Sequence, residues 1–188
     1  MSERAAAPPR TAPVLVLVGP PGAGKTTVGG RLAERLGRTL RDTDADVERV
    51  AGASVAEIFV DSGEQQFRAL EAEAVAAALR EHRGVLALGG GAVLAAETRT
   101  ALRGHRVIFL DVGLAQAARR VGLGAARPLL LGNVRGRLKT LLDERRPLYL
   151  DVATAQVLTD DLAVDEVVDR VAVLLTAAGE PAAATGPS

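Results

Sequence analysis

The residues with the clearest chemical potential form one segment, 19–27, which matches the pattern G-x-x-x-x-G-K-[ST] of phosphate-binding loops. Its glycines let backbone N–H groups turn towards phosphate oxygens, and the positive end of the following helix adds to the attraction. Lys25 is one of two lysines among 23 basic residues. Its compact ammonium can reach between the β- and γ-phosphates, where a planar guanidinium would not fit. A chance glycine-rich turn is disfavoured because a predicted strand precedes the segment and a predicted helix follows it. The segment predicts a nucleoside triphosphate site with Thr26 offering its hydroxyl to Mg²⁺ and with contacts from Gly22, Ala23, Gly24, Lys25, Thr26 and Thr27.

Two carboxylates, Asp42 and Asp44, close the second predicted strand. Residues two apart on a strand point the same way, so both can face the phosphate-binding loop. Asp42 could hold Mg²⁺ through water, and Asp44 could accept a hydrogen bond from a substrate hydroxyl and act as its base. Asp44 could equally cap the helix that begins there. The sequence alone leaves both interpretations of Asp44 open.

Two further features suit an anionic ligand. Arg68 lies on a helix predicted from about Gly63 to Arg80 and binds an anion if it faces the cleft. A solvated surface arginine is the simpler alternative. Three consecutive glycines, Gly89–Gly91, follow the third predicted strand. Each glycine costs conformational entropy, so three favour a close approach of the backbone to a ligand, although one would suffice for a plain turn.

Arginines also surround the small-residue segment 122–126, with Arg119 and Arg120 before it and Arg127 after it. Such a segment can close over a phosphate and supply positive charge as the transition state forms. An ordinary mobile loop with solvated charges is the alternative. Arg145 ends another predicted helical stretch, where it either binds a ligand with partners from elsewhere in the chain or offsets the helix dipole.

Other titratable residues give weaker signals. Glu64 and Glu71 are most simply helix-surface charges, although Glu71 could instead orient one of the cleft arginines. His82 and His105 lie in polar connectors, and we expect both to face solvent. With no cysteine and no clustered histidine, the sequence predicts no zinc site.

Short apolar segments predict the strands that position these residues. Helical patterns alternate with the strands, so we expect an α/β fold with a five-stranded parallel sheet flanked by helices on both faces. Ligands of such sheets bind at the carboxyl ends of the strands, where most of the residues above fall. The five predicted strands are Val14–Val18, Thr39–Asp42, Val85–Leu88, Val107–Leu110 and Ala155–Leu158.

Length and composition bound the class of protein. The 188 residues suffice for one domain, which we predict at 13–177, with a mobile lid at about 122–132 and disordered tails at 1–12 and 178–188. A net charge of zero argues against non-specific nucleic-acid binding. No apolar run approaches the roughly 20 residues of a membrane span, and the N-terminus lacks an apolar signal core. We therefore expect a cytoplasmic monomer without a nucleic-acid or membrane partner.

Six segments in a fixed order resemble the shikimate kinase family, which has the nucleoside-monophosphate-kinase-like P-loop fold. The resemblance covers the chain from Val14 to about Leu175. The P-loop specifies only a nucleotide, whereas the order and spacing of the other five segments are specific to the family. The six segments are 19–27, 42–44, 61–68, 88–93, 127–130 and 145–149.

This resemblance implies transfer of a phosphoryl group from ATP to the 3-hydroxyl of shikimate, with Mg²⁺ as cofactor. It implies that Lys25 contacts the β- and γ-phosphates and that Asp44 binds shikimate hydroxyls and serves as base. Thr26 would ligate Mg²⁺ directly and Asp42 through water. The remaining implied contacts are Arg68 and Arg145 for the substrate carboxylate, Gly90 and Gly91 for the substrate through their backbone, Phe59 and Phe67 for the apolar wall, Arg120 for adenine, and Arg127 for the phosphates under the lid. The acidic segment 159–163 departs from the family pattern, which leaves the adenine contacts open.

Two alternatives of different kinds remain. One is a P-loop kinase of another small hydroxylated metabolite such as gluconate, although a neutral polyol would not need both Arg68 and Arg145. The other is an ATP-binding module without catalysis. Retention of Lys25, Asp44 and Arg127 argues against it, because a non-catalytic relative could have lost any of them.

Overall fold

A computed structural model describes residues 13–122 and 134–177 of the chain. The predicted tails lie outside these ranges, as does the predicted lid apart from its first residue. Arg127, which the sequence places in that lid, therefore lies outside the described residues.

The described residues form a parallel sheet of five strands in the order β2-β3-β1-β4-β5. The predicted fold class is confirmed, and the strand bounds differ from the predicted ones by one residue at most. The P-loop follows β1, which lies at the centre of the sheet. The strands are β1 Leu15–Val18, β2 Leu40–Asp42, β3 Val85–Ala87, β4 Val107–Asp111 and β5 Ala155–Leu158.

Both faces of the central strands are buried, which explains their uninterrupted apolar sequences. In β1, Leu15 and Leu17 join one core cluster, whereas Val16 and Val18 join the cluster on the opposite face. This alternation follows from the two-residue period of a strand. The two cores hold the sheet rigidly, so that the carboxyl ends of its strands form a fixed platform.

Helices cover both faces of this sheet. The helix after the P-loop and the long helices near Gly63 and Val164 were predicted, whereas two short helices, α3 and α5, were not. The helices are α1 Lys25–Arg35, α2 Thr43–Ala51, α3 Val55–Asp61, α4 Gly63–Glu81, α5 Ala96–Ala101, α6 Leu114–Gly122, α7 Val134–Val152 and α8 Val164–Ala177, with a 3₁₀ turn at Ala92–Leu94. Within the described ranges, none of them has the length and hydrophobicity to cross a membrane.

The helix that carries Arg145 does not end where the sequence predicts. α7 continues through Pro147 to Val152, so Arg145 lies about two turns before the end of the helix. The interpretation of Arg145 as a residue that offsets the dipole at the helix end is therefore wrong. Its guanidinium must have another partner.

Two glycines inside α1 have different explanations. A Cβ at Gly29 would lie 2.8 Å from Leu40 Cδ1 and 3.3 Å from Leu17 Cδ1, so glycine lets α1 pack closely on the sheet. A Cβ at Gly30 would meet open space. Nothing in the structure explains Gly30.

Candidate active site

The P-loop occupies the carboxyl end of β1 and holds a tight backbone conformation. Gly22 and Gly24 have φ values of 81° and 89°, in the left-handed region that glycine adopts without strain. The Lys25 ammonium donates hydrogen bonds to the carbonyl oxygens of Gly19 at 2.7 Å and of Pro20 at 3.1 Å. It is thus held over the loop whose N–H groups the sequence assigns to phosphate.

A cleft of about 380 Å³ opens beside this loop. It brings together the predicted nucleotide residues, both acidic residues after β2, and Arg120 from α6. Its lining includes Gly22, Gly24, Lys25, Thr26, Thr27, Asp42, Asp44 and Arg120. Ala23 lies buried in the core beneath the loop. The structure therefore places the phosphate-binding and acidic residues around one space.

Asp42 links the P-loop to the start of α2. One carboxylate oxygen accepts a hydrogen bond from the Thr26 hydroxyl at 2.8 Å. The other accepts from the backbone N–H of Asp44 at 3.0 Å and so caps α2. The interpretation that Asp44 caps this helix is wrong, because Asp42 does so. Asp44 itself lines the cleft together with Lys25 and Thr26.

The pair formed by Thr26 and Asp42 suits Mg²⁺, which prefers oxygen ligands and keeps several of its waters. Among the described residues there is no group of three or more His, Cys, Asp or Glu side chains that could enclose a metal. A cation at this place would therefore share its coordination between these two residues, water and bound phosphates. The donor set fits the predicted metal.

On the other side of Asp44, three segments converge on the glycines after β3. A Cβ at Gly89 would lie 2.3 Å from Asp44 Oδ1, and a Cβ at Gly91 would lie 2.0 Å from Arg68 Nη1. The backbone N–H of Gly89 donates to the buried hydroxyl of Thr43 at 2.9 Å. These glycines are required because charged side chains occupy the space that side chains there would fill. Arg68 therefore lies against Gly91, and with a side chain that is 21% exposed it is not a solvated surface residue.

Glu71 is buried next to Arg68, which agrees with the alternative that it orients one of the cleft arginines. It is 3% exposed and accepts a hydrogen bond from Arg68 at 2.5 Å, so its interpretation as a surface charge is wrong. Burial raises the pKa of Glu71, while the charge of Arg68 opposes that rise. Glu64, in contrast, is exposed and pairs with Arg68 at 3.2 Å. The sequence offered one signal, the spacing of three residues between Arg68 and Glu71 on a helix.

Arg145 reaches the same glycines from α7. It donates to the carbonyl oxygen of Gly90 at 3.0 Å, and the Tyr149 hydroxyl donates to that oxygen at 2.5 Å. Burial raises the pKa of Tyr149 to about 12, against a smaller lowering by Arg145. Arg68 and Arg145 thus approach neighbouring glycines from two different helices. The sequence did not identify Tyr149 as a site residue.

Two phenylalanines lie next to Arg68. The rings of Phe59 and Phe67 are 4.6 Å apart, and the Arg68 guanidinium carbon lies 5.9 Å and 5.1 Å from their centroids. Phe67 is buried in a core with Val47 and Ile58, while Phe59 is half-buried at the edge of that core. The aromatic faces favour the guanidinium cation. The predicted apolar wall therefore also supports one of the two arginines.

Arg120 connects the P-loop to the segment after β5. Its guanidinium donates to the Gly22 carbonyl at 3.1 Å and to both oxygens of Thr159, the carbonyl at 2.8 Å and the hydroxyl at 3.1 Å. In the acidic segment, the Asp160 carboxylate accepts from the Gly113 N–H at 2.7 Å. This acidic residue therefore has a structural partner at the start of α6.

The histidines differ from expectation. Both are half-buried. His82 Nε2 lies 3.1 Å and 3.0 Å from the carbonyl oxygens of Thr39 and Val85, and burial lowers the pKa of His105. The prediction that they face solvent is wrong, because short connectors press them against the strand ends.

The P-loop after β1, the acidic pair after β2 and the sheet order define a P-loop kinase of the nucleoside-monophosphate-kinase-like fold. A sequence model described as shikimate kinase matches residues 21–176, and the chain belongs to the shikimate kinase family. The described site residues from Gly22 to Arg145 all fall inside this match.

Individual relatives agree with the family assignment. A shikimate kinase from Salinispora arenicola is 63% identical over 166 residues, which cover 88% of this chain and 99% of that protein. One from Thermobifida fusca is 58% identical and covers 89% of this chain and 98% of its own. The solved structure of shikimate kinase from Acinetobacter baumannii in complex with shikimate has a TM-score of 0.85 at 36% identity, covering 89% of this chain and 94% of that one.

Proposed function

We propose that this protein transfers the γ-phosphoryl group of ATP to the 3-hydroxyl of shikimate, giving shikimate 3-phosphate and ADP. Membership of the shikimate kinase family supports the reaction. One structural observation supports the assignment most. Arg68 lies against Gly91, and Arg145 donates to the carbonyl of Gly90, beside the P-loop. Two guanidinium groups suit a carboxylate, and the glycine backbone suits a small ring that must come close.

The reaction forms a bond between the 3-oxygen of shikimate and the γ-phosphorus, and it breaks the bond from that phosphorus to the β–γ bridging oxygen. Asp44 takes the proton of the 3-hydroxyl, and ADP leaves. Phosphoryl transfer depends mainly on positioning and charge neutralisation, so no covalent nucleophile is required. Asp44 is suited to the base role because its carboxylate lies beside Gly89 and lines the same cleft as the P-loop.

Lys25 neutralises charge on the β- and γ-phosphates after exchanging its hydrogen bonds to Gly19 and Pro20 for phosphate oxygens. Thr26 directly and Asp42 through water would hold Mg²⁺, which when bound would neutralise phosphate charge and orient the γ-phosphoryl group. Arg120 contacts adenine from its position between the P-loop and Thr159.

Arg68 and Arg145 grip the substrate carboxylate, and Phe59 and Phe67 wall the ring. Glu71, buried behind Arg68, fixes its guanidinium. Together these contacts fix the acid end of the substrate, so that its 3-hydroxyl faces the phosphates. The predicted monomeric state and cytoplasmic location remain part of this proposal.

A coupled ADP-release assay tests the function. Purified protein receives ATP, Mg²⁺ and in turn shikimate, gluconate and other small hydroxy acids, with Lys25→Met as the control for contaminating kinases. We expect ADP release with shikimate that is lost in the Lys25→Met variant. Equal turnover of gluconate and shikimate would contradict the proposed substrate, and no turnover above background with any acceptor would contradict the proposed activity.

Arg127→Ala extends the test to the predicted lid. The family resemblance assigns Arg127 to the phosphates, so we expect kcat to fall by roughly 10³-fold, the range found for cationic groups at phosphoryl transfer sites. Arg170→Ala is the control, because Arg170 is an exposed arginine on α8, away from the predicted lid. Unchanged turnover in Arg127→Ala would remove the predicted lid contact.

A further inference from the structure

The turn of α7 that carries Arg145 is intrinsically weak. Pro147 lies inside the helix and has no backbone N–H. The carbonyl of Asp143 therefore loses its usual intrahelical donor, and helices bend at such positions. Backbone hydrogen bonding alone consequently does not fix the direction in which this turn presents its side chains.

A side-chain network at the end of β4 contacts the same turn. Arg146 donates to Asp111 Oδ2 at 2.6 Å, and the Gln156 amide donates to the same oxygen at 2.7 Å. The Asp111 side chain is 8% exposed, whereas that of Arg146 is 54% exposed. The hydrogen bond to Asp111 raises the pKa of Arg146. A buried carboxylate that accepts two hydrogen bonds thus anchors Arg146, the helix residue next to Arg145.

This ion pair lies beside open space. A cleft of about 320 Å³ separates part of α7 from the P-loop and the β4–α6 connection. Its lining includes Pro20, Asp111, Leu114, Leu142 and Arg146. Part of this face of the helix therefore borders open space, and the contact between Asp111 and Arg146 connects it to the end of β4.

We propose that Asp111 is a positioning residue for the substrate site: by holding Arg146, it sets the α7 turn that presents Arg145 to the anionic group of the substrate. The inference rests on the proposed function, because it assumes that Arg145 binds a carboxylate. Tyr149, one turn further along α7, also connects this helix to β4 and to the glycines. Its ring stacks on Phe109 of β4 with the centroids 5.0 Å apart, and its hydroxyl donates to the Gly90 carbonyl.

The backbone of Asp111 contacts Thr159, whereas its side chain contacts Arg146, so the two parts of this residue can be tested separately. Its carbonyl oxygen accepts from the Thr159 N–H at 2.9 Å and from the Thr159 hydroxyl at 3.0 Å, and Thr159 in turn holds Arg120. A change of the Asp111 side chain leaves these backbone contacts in place. The effect is therefore expected on the acceptor substrate and not on ATP.

Asp111→Asn and Arg146→Met test the pair. Asn keeps the side-chain shape and removes the charge, and Arg146 is exposed enough that its replacement is tolerated in folding. We expect KM for shikimate to rise roughly tenfold in both, since small displacements of a substrate-positioning group have effects of this size or more. KM for ATP should stay within about twofold of its unmodified value, and the double variant should be no worse than either single variant. Arg146→Lys should recover part of the loss.

Lys139→Met is the matched control. It breaks an ion pair with Asp143 on the same helix, in which both side chains are more than 60% exposed, and it should leave both KM values unchanged. A rise in KM for shikimate in this control equal to that in Arg146→Met would overturn the inference, as would unchanged KM in Asp111→Asn and Arg146→Met.

A second readout does not need activity. Tyr149 is the single tyrosine of a chain without tryptophan, so the tyrosine band of the near-ultraviolet circular dichroism spectrum reports on α7 alone. We expect this band to weaken in Asp111→Asn and Arg146→Met and to persist in Lys139→Met. A weakened band together with no turnover of shikimate by the unmodified protein would uphold the positioning role and reject the proposed function. An unchanged band in both variants would reject the positioning role.

Discussion

The hydroxyl of Thr26 donates a hydrogen bond across 2.8 Å to the carboxylate of Asp42, whose second oxygen caps α2. This contact joins the P-loop to the strand end that carries Asp44. One aspartate therefore serves the proposed metal site and the local fold at once, and the two roles can be separated by substitution.

Asp42→Asn should weaken Mg²⁺ use while preserving the fold. The amide oxygen can still cap α2, but the charge is lost, so we expect the Mg²⁺ concentration for half-maximal activity to rise by roughly tenfold or more. Asp42→Ala should show the same activity defect and also lose about 1 kcal/mol of unfolding free energy with the cap. Mg²⁺ titration of turnover and urea unfolding measure the two effects. Equal stability of both variants would contradict the capping role.

Arg68→Ala should raise KM for shikimate by roughly 10- to 100-fold, because a hydrogen bond to a charged group contributes about 1.5–3 kcal/mol. ATP binding should be spared. The variant also leaves Glu71 buried without its cation, at a cost of about 3 kcal/mol in unfolding free energy.

Arg68→Met with Glu71→Gln separates the two consequences of losing Arg68. This double variant should recover most of the stability and none of the substrate affinity. If ATP binding were lost while shikimate binding survived, the assignment of Arg68 would be wrong.

The two glycines of α1 provide a matched pair for stability. Gly30→Ala places a methyl group in open space and should raise the unfolding free energy by about 0.5–1 kcal/mol, because glycine is unfavourable inside helices. Gly29→Ala should lower it by about 1–3 kcal/mol, since its Cβ would overlap Leu40. Urea unfolding monitored by circular dichroism measures the unfolding free energy of both variants. Stabilisation by both substitutions would contradict the packing described for Gly29.

Tyr149 gives a prediction about pH. Its pKa is raised from 10.0 to about 12 in the fold, so it contributes stability that is fully present below pH 10 and is lost as pH rises through 12. Spectrophotometric titration of the single tyrosine should show a midpoint near 12 in the folded protein and near 10 in urea. A midpoint near 10 in protein that retains its circular dichroism would contradict the burial of the Tyr149 hydroxyl.

The sequence predicted the sheet well because its three central strands, β1, β3 and β4, are short, apolar and buried on both faces, as their uninterrupted apolar sequences indicate. The P-loop was equally visible, since its backbone geometry demands glycines at fixed positions. α7 was placed too short because Pro147 usually ends a helix, whereas tertiary contacts of Arg146 and Tyr149 carry this helix beyond it.

The substrate side of the site was only partly predictable. The sequence favoured a surface position for Glu71 because its burial depends on how α4 packs against the end of β3. No local sequence pattern indicates this packing. Thr43 was overlooked between two aspartates, although its hydroxyl fixes the Gly89 backbone. The family resemblance implied that Arg68 and Arg145 act together although they lie 77 positions apart, whereas their contacts with Gly91 and Gly90 depend on the three-dimensional fold.

Product identification tests the central claim most directly. The protein is incubated with ATP, Mg²⁺ and shikimate, and phosphorus NMR follows both products, with Arg145→Ala as a comparison at limiting shikimate. We expect one phosphate ester, on the 3-oxygen of shikimate, formed in the same amount as ADP. In Arg145→Ala this ester should form at a strongly reduced rate. ADP with free phosphate and no ester, or an ester formed equally fast without Arg145, would contradict it.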